Sequence, residues 1–228
     1  GANVISIRGN FDKALEMVHD LCLSHGLYLL NSVNPYRLEG QKTIGFEAID
    51  QLGGVPDRIV LPVGNAGNIS AVHKGLNELI ELGWIDRIPM MTGIQAAGSA
   101  PIVEAFRSGK RDFVPEEHPE TVATAIRIGN PASWERAVKA AEESLGKIDM
   151  VSDEEILDAY RLLADREGVF VEPASAASVA GLYKAFRRGE LPRGSLAVCV
   201  LTGHGLKDPD LAVKCVEEPQ AVPPSMDT

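Results

Sequence analysis

Residues 58–82 read Arg58-Ile-Val-Leu-Pro-Val-Gly-Asn-Ala-Gly-Asn-Ile-Ser-Ala-Val-His-Lys-Gly-Leu-Asn-Glu-Leu-Ile-Glu-Leu82 and join two apolar patterns of different period. Ile59, Val60, Leu61 and Val63 make the short continuous apolar run of a parallel strand buried on both faces. Ile69, Val72, Leu76, Leu79, Ile80 and Leu82 then recur at three-and-four spacing, the mark of a helix with one buried face. Between them lies Gly64-Asn65-Ala66-Gly67-Asn68. Two glycines let the backbone turn tightly and approach a ligand, and the first turn of the following helix offers free N–H groups and a favourable dipole. Two Asn amides add donors. The loop has the makings of an anion cup.

A tight strand-to-helix connection without a ligand is the competing reading, at even weight. The cup is not a P-loop, because no Gly-Lys-Ser/Thr follows it, and the Gly-x-Gly-x-x-Gly spacing of a dinucleotide fold is absent. A small phosphorylated cofactor therefore fits better than a nucleotide.

Bulk properties narrow the class. A chain of 228 residues has room for one large α/β domain and a little more. Hydrophobic residues at 45% and charged residues at 24% are ordinary for a soluble protein. A formal charge of −10, without any basic run, argues against nucleic-acid binding. Cys22, Cys199 and Cys215 show no metal-type spacing, and a reducing cytoplasm suits them. No apolar run approaches the roughly 20 residues of a spanning helix.

Outward from the cup, the chain alternates strand and helix. Residues 1–9 and 27–30 have strand patterns flanking a helix at 11–24, capped by Asn10 and ended by Gly26. The abrupt start resembles a cut edge. Residues 31–43 carry Asn31, Ser32, Asn34, Pro35 and Arg37, a donor-rich loop in which Arg37 matches phosphate or carboxylate geometry. A helix is expected over 43–51, and a strand-like segment over 88–95 runs into the small residues Ala96, Ala97, Gly98 and Ser99. A short helix begins at 102; 110–120 is an exposed excursion, and 121–128 is extended. Ser133 is expected to cap a helix at 134–144. Ser152 and Glu155 have capping-box spacing. A short strand at 169–171 leads through Glu172-Pro-Ala-Ser-Ala-Ala-Ser178 into a helix, and the last strand, 196–201, ends in Thr202-Gly-His-Gly-Leu-Lys-Asp208.

The predicted architecture is a doubly wound, mainly parallel sheet. Polar loops at 31–37, 64–68, 96–99, 172–175 and 202–204 all follow strands, so they can converge on one face. Four of the segments, Asn31–Arg37 with Glu39-Gly-Gln-Lys-Thr43, Gly64–Asn68, Glu172–Ala177 and Leu201–Asp208, resemble those of threonine synthases, members of the fold type II pyridoxal-phosphate (PLP) enzymes. The likeness runs from about Val4 to Lys214. It implies a tryptophan-synthase-β-like fold and conversion of O-phosphohomoserine and water to threonine and phosphate. It also implies that Gly64, Asn65, Ala66, Gly67 and Asn68 hold the cofactor phosphate while Thr202 meets the pyridine nitrogen. Asn31, Ser32 and Arg37 would contact the substrate phosphate, and Ala96, Ala97 and Glu172 would surround the ring.

The family's Schiff-base lysine stands in a Ser-x-Lys-x-Arg setting that none of the nine lysines here has. The chain is therefore expected to be the C-terminal part of the enzyme and inactive alone. Residues 1–29 would end an incomplete small domain, 30–218 would form the large PLP-binding domain, and 219–228 a tail. A homodimer in the cytoplasm, acting on a small molecule, is the implied setting. The alternatives are a serine/threonine dehydratase of the same cofactor class, a non-catalytic phosphate- or PLP-binding fragment, and a flavodoxin-like domain whose polar loops only pack.

Overall fold

A computed structural model describes residues 1–31, 33–109 and 113–216. Four strands, β1 (Arg58–Pro62), β2 (Met90–Ala96), β3 (Lys147–Val151) and β4 (Ala197–Cys199), form a parallel sheet in the order β3-β2-β1-β4. Their side chains alternate between two apolar layers, as the pleat requires. Ile59, Leu61, Val63 and Met91 pack with α4 (Gly67–Glu81), α5 (Pro101–Ser108) and α6 (Trp134–Glu143). Val60, Ile94 and Ala96 face the other way, against α7 (Asp153–Leu162) and α8 (Pro173–Arg187). The doubly wound arrangement follows from that alternation. α8 presents Ala174, Ala176, Ala177 and Ala180 to the sheet, and side chains this small let it ride close to the strands.

Local expectations hold where caps were legible. Asn10 accepts from the Lys13 N–H at the start of α1 (Phe11–His25), and Gly26 ends that helix in the left-handed region. Ser152 and Glu155 form a complete capping box on α7. α3 (Thr43–Leu52) lies where a helix was expected.

Several expectations are corrected. Residues 1–9 and 27–30 form no strand, and Val4 (91% exposed) and Leu30 (75%) have no sheet neighbour to cover them. The segment expected as a loop after Asn31 contains α2 (Pro35–Gln41); Asn34 accepts from the Tyr36 N–H and Pro35 occupies the first turn, where its missing N–H costs nothing. Thr124–Ile126 is a single 3-10 turn rather than extended chain. Ser133 makes no side-chain cap. Residues 169–171 contribute only an isolated bridge, Val171 to His204. β3 was not anticipated. Residues 110–112 and the tail lie outside the described residues.

Candidate functional site

β1 delivers the chain to residues 64–68 at the C-terminal edge of the sheet. A Cβ on Gly64 would lie 3.0 Å from the Ala125 carbonyl oxygen and from Ile126 Cα, so glycine lets the 124–126 turn close over the strand end without the backbone shift that any side chain would require. Ala66 takes a positive φ of 66° immediately before α4, a conformation that costs a non-glycine residue about 1–2 kcal/mol. The turn is held in it from outside. Asn65 Oδ1 accepts from the Ala132 N–H (2.6 Å), its carbonyl accepts from the Ser133 N–H (3.2 Å), and Asn68 Nδ2 donates to the Pro62 carbonyl (2.8 Å). Asn68 thus gives one of its two amide hydrogens to bracing the turn. Backbone donors also remain for an anion: the Gly67 and Asn68 N–H groups have no acceptor among the described residues, and they stand at the positive end of a 15-residue helix.

Around this turn lies an open hollow of about 720 Å³. The structure brings Asn31, Arg37, all five residues from Gly64 to Asn68, Glu172 and Thr202 to its walls. Arg37 is exposed on α2 and donates to Asn31 Oδ1. Ala96 and Ala97 stand apart from it: Ala96 is buried in the core, and Ala97 is an exposed residue whose N–H donates to the Val151 carbonyl. Ser32 lies outside the described residues.

The opposite wall is a compact polar lattice. Thr202 Oγ1 is 2.9 Å from Ser175 Oγ, which accepts from the Gly203 N–H (2.8 Å). Glu172, 5% exposed, lies 3.4 Å from Thr202 Oγ1 and pairs with Lys207 Nζ at 2.6 Å. A Cβ on Gly203 would strike the Glu172 carboxylate at 2.2 Å, so this glycine permits the lattice. A nearly buried carboxylate needs such a partner, since desolvation alone would neutralise it.

Lys42, on the ligand-side loop, is equally committed. Its ammonium sits 2.6 Å from Glu39 and 2.8 Å from Glu78, and these hydrogen bonds hold its pKa above the ordinary range. Hydrogen bonds from Lys42 and Lys74 hold Glu39 down to about 2. Neither Lys42 nor Lys207 is a free amine.

Sequence reasoning missed Ser175 as the partner of Thr202, the 124–126 turn, and Gln41, which lines the hollow from the end of α2. Gln41 sat inside a quoted segment. The turn carried no signal of its own.

Comparison with known proteins agrees with this geometry. The chain is 59% identical to a threonine synthase of Methanosarcina acetivorans over all of its length and 56% of the relative's, and 57% identical to one from Methanocaldococcus jannaschii over 96% of this chain and 54% of that one. It thus spans little more than half the length of these curated relatives. Among solved structures, the processed form of threonine deaminase isoform 2 from Solanum lycopersicum superposes with a TM-score of 0.75 at 20% identity, covering 92% of this chain and 58% of that one, a likeness of fold. A family model described as pyridoxal-phosphate dependent enzyme matches residues 1–203, well over half of the sequence, and the chain belongs to that family.

Proposed function

We propose that this chain forms the cofactor- and phosphate-binding part of a threonine synthase, which converts O-phosphohomoserine and water to threonine and phosphate. The observation that carries the reading is the meeting, in one hollow, of a backbone anion cup, a hydroxyl lattice at Thr202 and the guanidinium of Arg37. The names of the relatives support the choice among enzymes of this cofactor class.

The residues present fit pyridoxal phosphate. The Gly67 and Asn68 N–H groups would hold its phosphate at the start of α4, and Thr202 would meet the pyridine nitrogen. When bound, the cofactor supplies an electron sink for carbanion chemistry on the substrate. The chain's part is to bind and orient. Ser175 can donate its hydrogen to Thr202 Oγ1, which leaves the Thr202 hydrogen for the ring nitrogen, because Glu172 at 3.4 Å is a long alternative. An alcohol in that position does not force the ring to stay protonated. Arg37 and Asn31 would grip the substrate phosphate by charge-assisted hydrogen bonds. Ala125, Ile126 and Ile128 supply an apolar wall beside them.

Neither Lys42 nor Lys207 serves as the lysine that bonds the cofactor; that residue is assigned to the part of the enzyme these 228 residues do not span. Residues 1–29 are read as the end of a small domain: α1 buries no residue, and Asp12 Oδ2 accepts from the Gly129 N–H across the junction (3.1 Å). Homodimeric assembly in the cytoplasm completes the reading.

The test uses the complete enzyme. Phosphate release from O-phosphohomoserine, without keto-acid release from threonine, is expected; the reverse would favour a dehydratase. Arg37→Ala should raise KM for O-phosphohomoserine by roughly tenfold or more, with a smaller change in kcat. Borohydride treatment of the 228-residue chain with pyridoxal phosphate should label none of its lysines at the hollow. A mapped adduct on Lys207 or Lys42 would overturn that assignment.

A further inference from the structure

At the opposite edge of the sheet, where β1, β2 and β4 begin, lies a second hollow of about 430 Å³. Arg58 opens β1 in register with Met90 of β2 and Ala197 of β4, so its side chain rises where three strands start together. It is 7% exposed, yet its hydrogen bonds go to the Thr92 hydroxyl (3.0 Å) and the Met90 sulfur (3.8 Å). No carboxylate lies within 4.0 Å of it among the described residues. A guanidinium this deeply buried is normally neutralised by an acid.

Two further arginines line the same hollow. Arg193 has no carboxylate within 4.0 Å among the described residues; Arg87 donates to the Pro56 (3.1 Å) and Val55 (2.8 Å) carbonyls, which do not neutralise its charge, and reaches the Asp57 carboxylate only at 3.6 Å. Asp57, the one acidic residue there, uses its other oxygen to accept from the Leu196 N–H (2.8 Å), which pins β4 to β1. Three guanidinium groups therefore face one committed carboxylate, in a protein whose net charge is −10. Met90, Leu191 and Pro192 give the hollow an apolar wall.

We infer that this hollow is a second anion-binding site, distinct from the cup at Gly64–Asn68, and that its ligand is a small organic acid: a carboxylate or phosphate head held by Arg58, Arg87 and Arg193, with a short apolar body against Met90 and Leu191. Paired guanidinium forks match either head group. The buried position of Arg58 gives the ligand a charge that water reaches poorly, and the two outer arginines make the entrance attractive to anions.

Nitrogen-15-labelled protein titrated with citrate, and separately with inorganic phosphate, tests this through amide shifts. Gly194, Ser195 and Ala197 report the new site, and Gly67 reports the cup. The expected result is a saturable shift at 194–197 that Arg87→Ala and Arg193→Ala each weaken roughly tenfold while the Gly67 response is unchanged. Citrate binding tighter than phosphate identifies a carboxylate head, and the opposite order a phosphate head. Arg193 is exposed and the Arg87 side chain is 48% exposed, so these variants should fold even if Arg58→Met does not. Shifts that never saturate, or that survive both substitutions, overturn the inference.

Discussion

The first thirty residues and residues 58–82 are built from similar apolar patterns, yet they end in opposite conditions. In the second region Leu61 is fully buried and every residue of β1 is covered. Val4, Ile5 and Leu30 in the first are largely exposed, and α1 buries nothing. The difference is the neighbourhood. β1 has a parallel strand on each side and a helical layer on each face, so its N–H and C=O groups and its side chains are all satisfied. The N-terminal segment has no strand to pair with, and an unpaired strand in water gains nothing that offsets the entropy of ordering it.

Substitutions can break or sharpen that contrast. Leu61→Ala should lower stability by about 2–5 kcal/mol through lost burial and a cavity, seen as a shifted urea midpoint. Leu30→Ala should stay within about 0.5 kcal/mol. Equal effects would mean the N-terminal segment is packed after all.

A smaller effect is expected at Asp149 on β3, which pairs with Arg107 (2.8 Å), Arg188 (3.0 Å) and Lys147 (3.4 Å). Burial pushes this carboxyl up, but the Met150 N–H and the Lys147 and Arg188 charges outweigh it and hold the pKa below its ordinary 3.8. A depressed folded-state value means the stabilisation is complete above that ordinary value and fades as pH falls through the folded one. Asp149→Asn should cost about 1–3 kcal/mol at neutral pH, after discounting for the half-exposed arginines. Denaturation of both proteins at neutral and acid pH checks it; a gap that does not narrow in acid would refute the ionic account.

The smallest pair compares caps. Ser152→Ala removes a capping box from a packed helix and should cost about 1 kcal/mol globally. Asn10→Ala removes the equivalent bond from α1, which buries no residue and meets the rest of the chain at Asp12 and the Gly129 N–H, so it should appear mainly as faster amide exchange within 11–25.

The same contrast explains what was legible. Glycine and asparagine between a strand pattern and a helix pattern announced the tight turn between β1 and α4, because turn chemistry and periodicity are local properties. α2 was hidden because Asn34 and Pro35 read equally as a turn or as a helix start; tertiary packing of α2 on α4 chose the helix. β3 was hidden because Lys147 and Asp149 interrupt its apolar pattern, and the partners that make that aspartate tolerable in an edge strand include Arg107 of α5 and Arg188 at the end of α8, far away in sequence. The pairing of Thr202 with Ser175 spans 27 residues and could not be read from either.

Taken alone, the order of residues determined the alternation of strands and helices, most of the caps and the chemistry of the loops, since these depend on neighbours three or four positions apart. Tertiary structure decided which apolar segments became strands, which polar side chains brace the turn, and which loops share a hollow. Those outcomes depend on partners tens of residues away, whose approach no local pattern encodes.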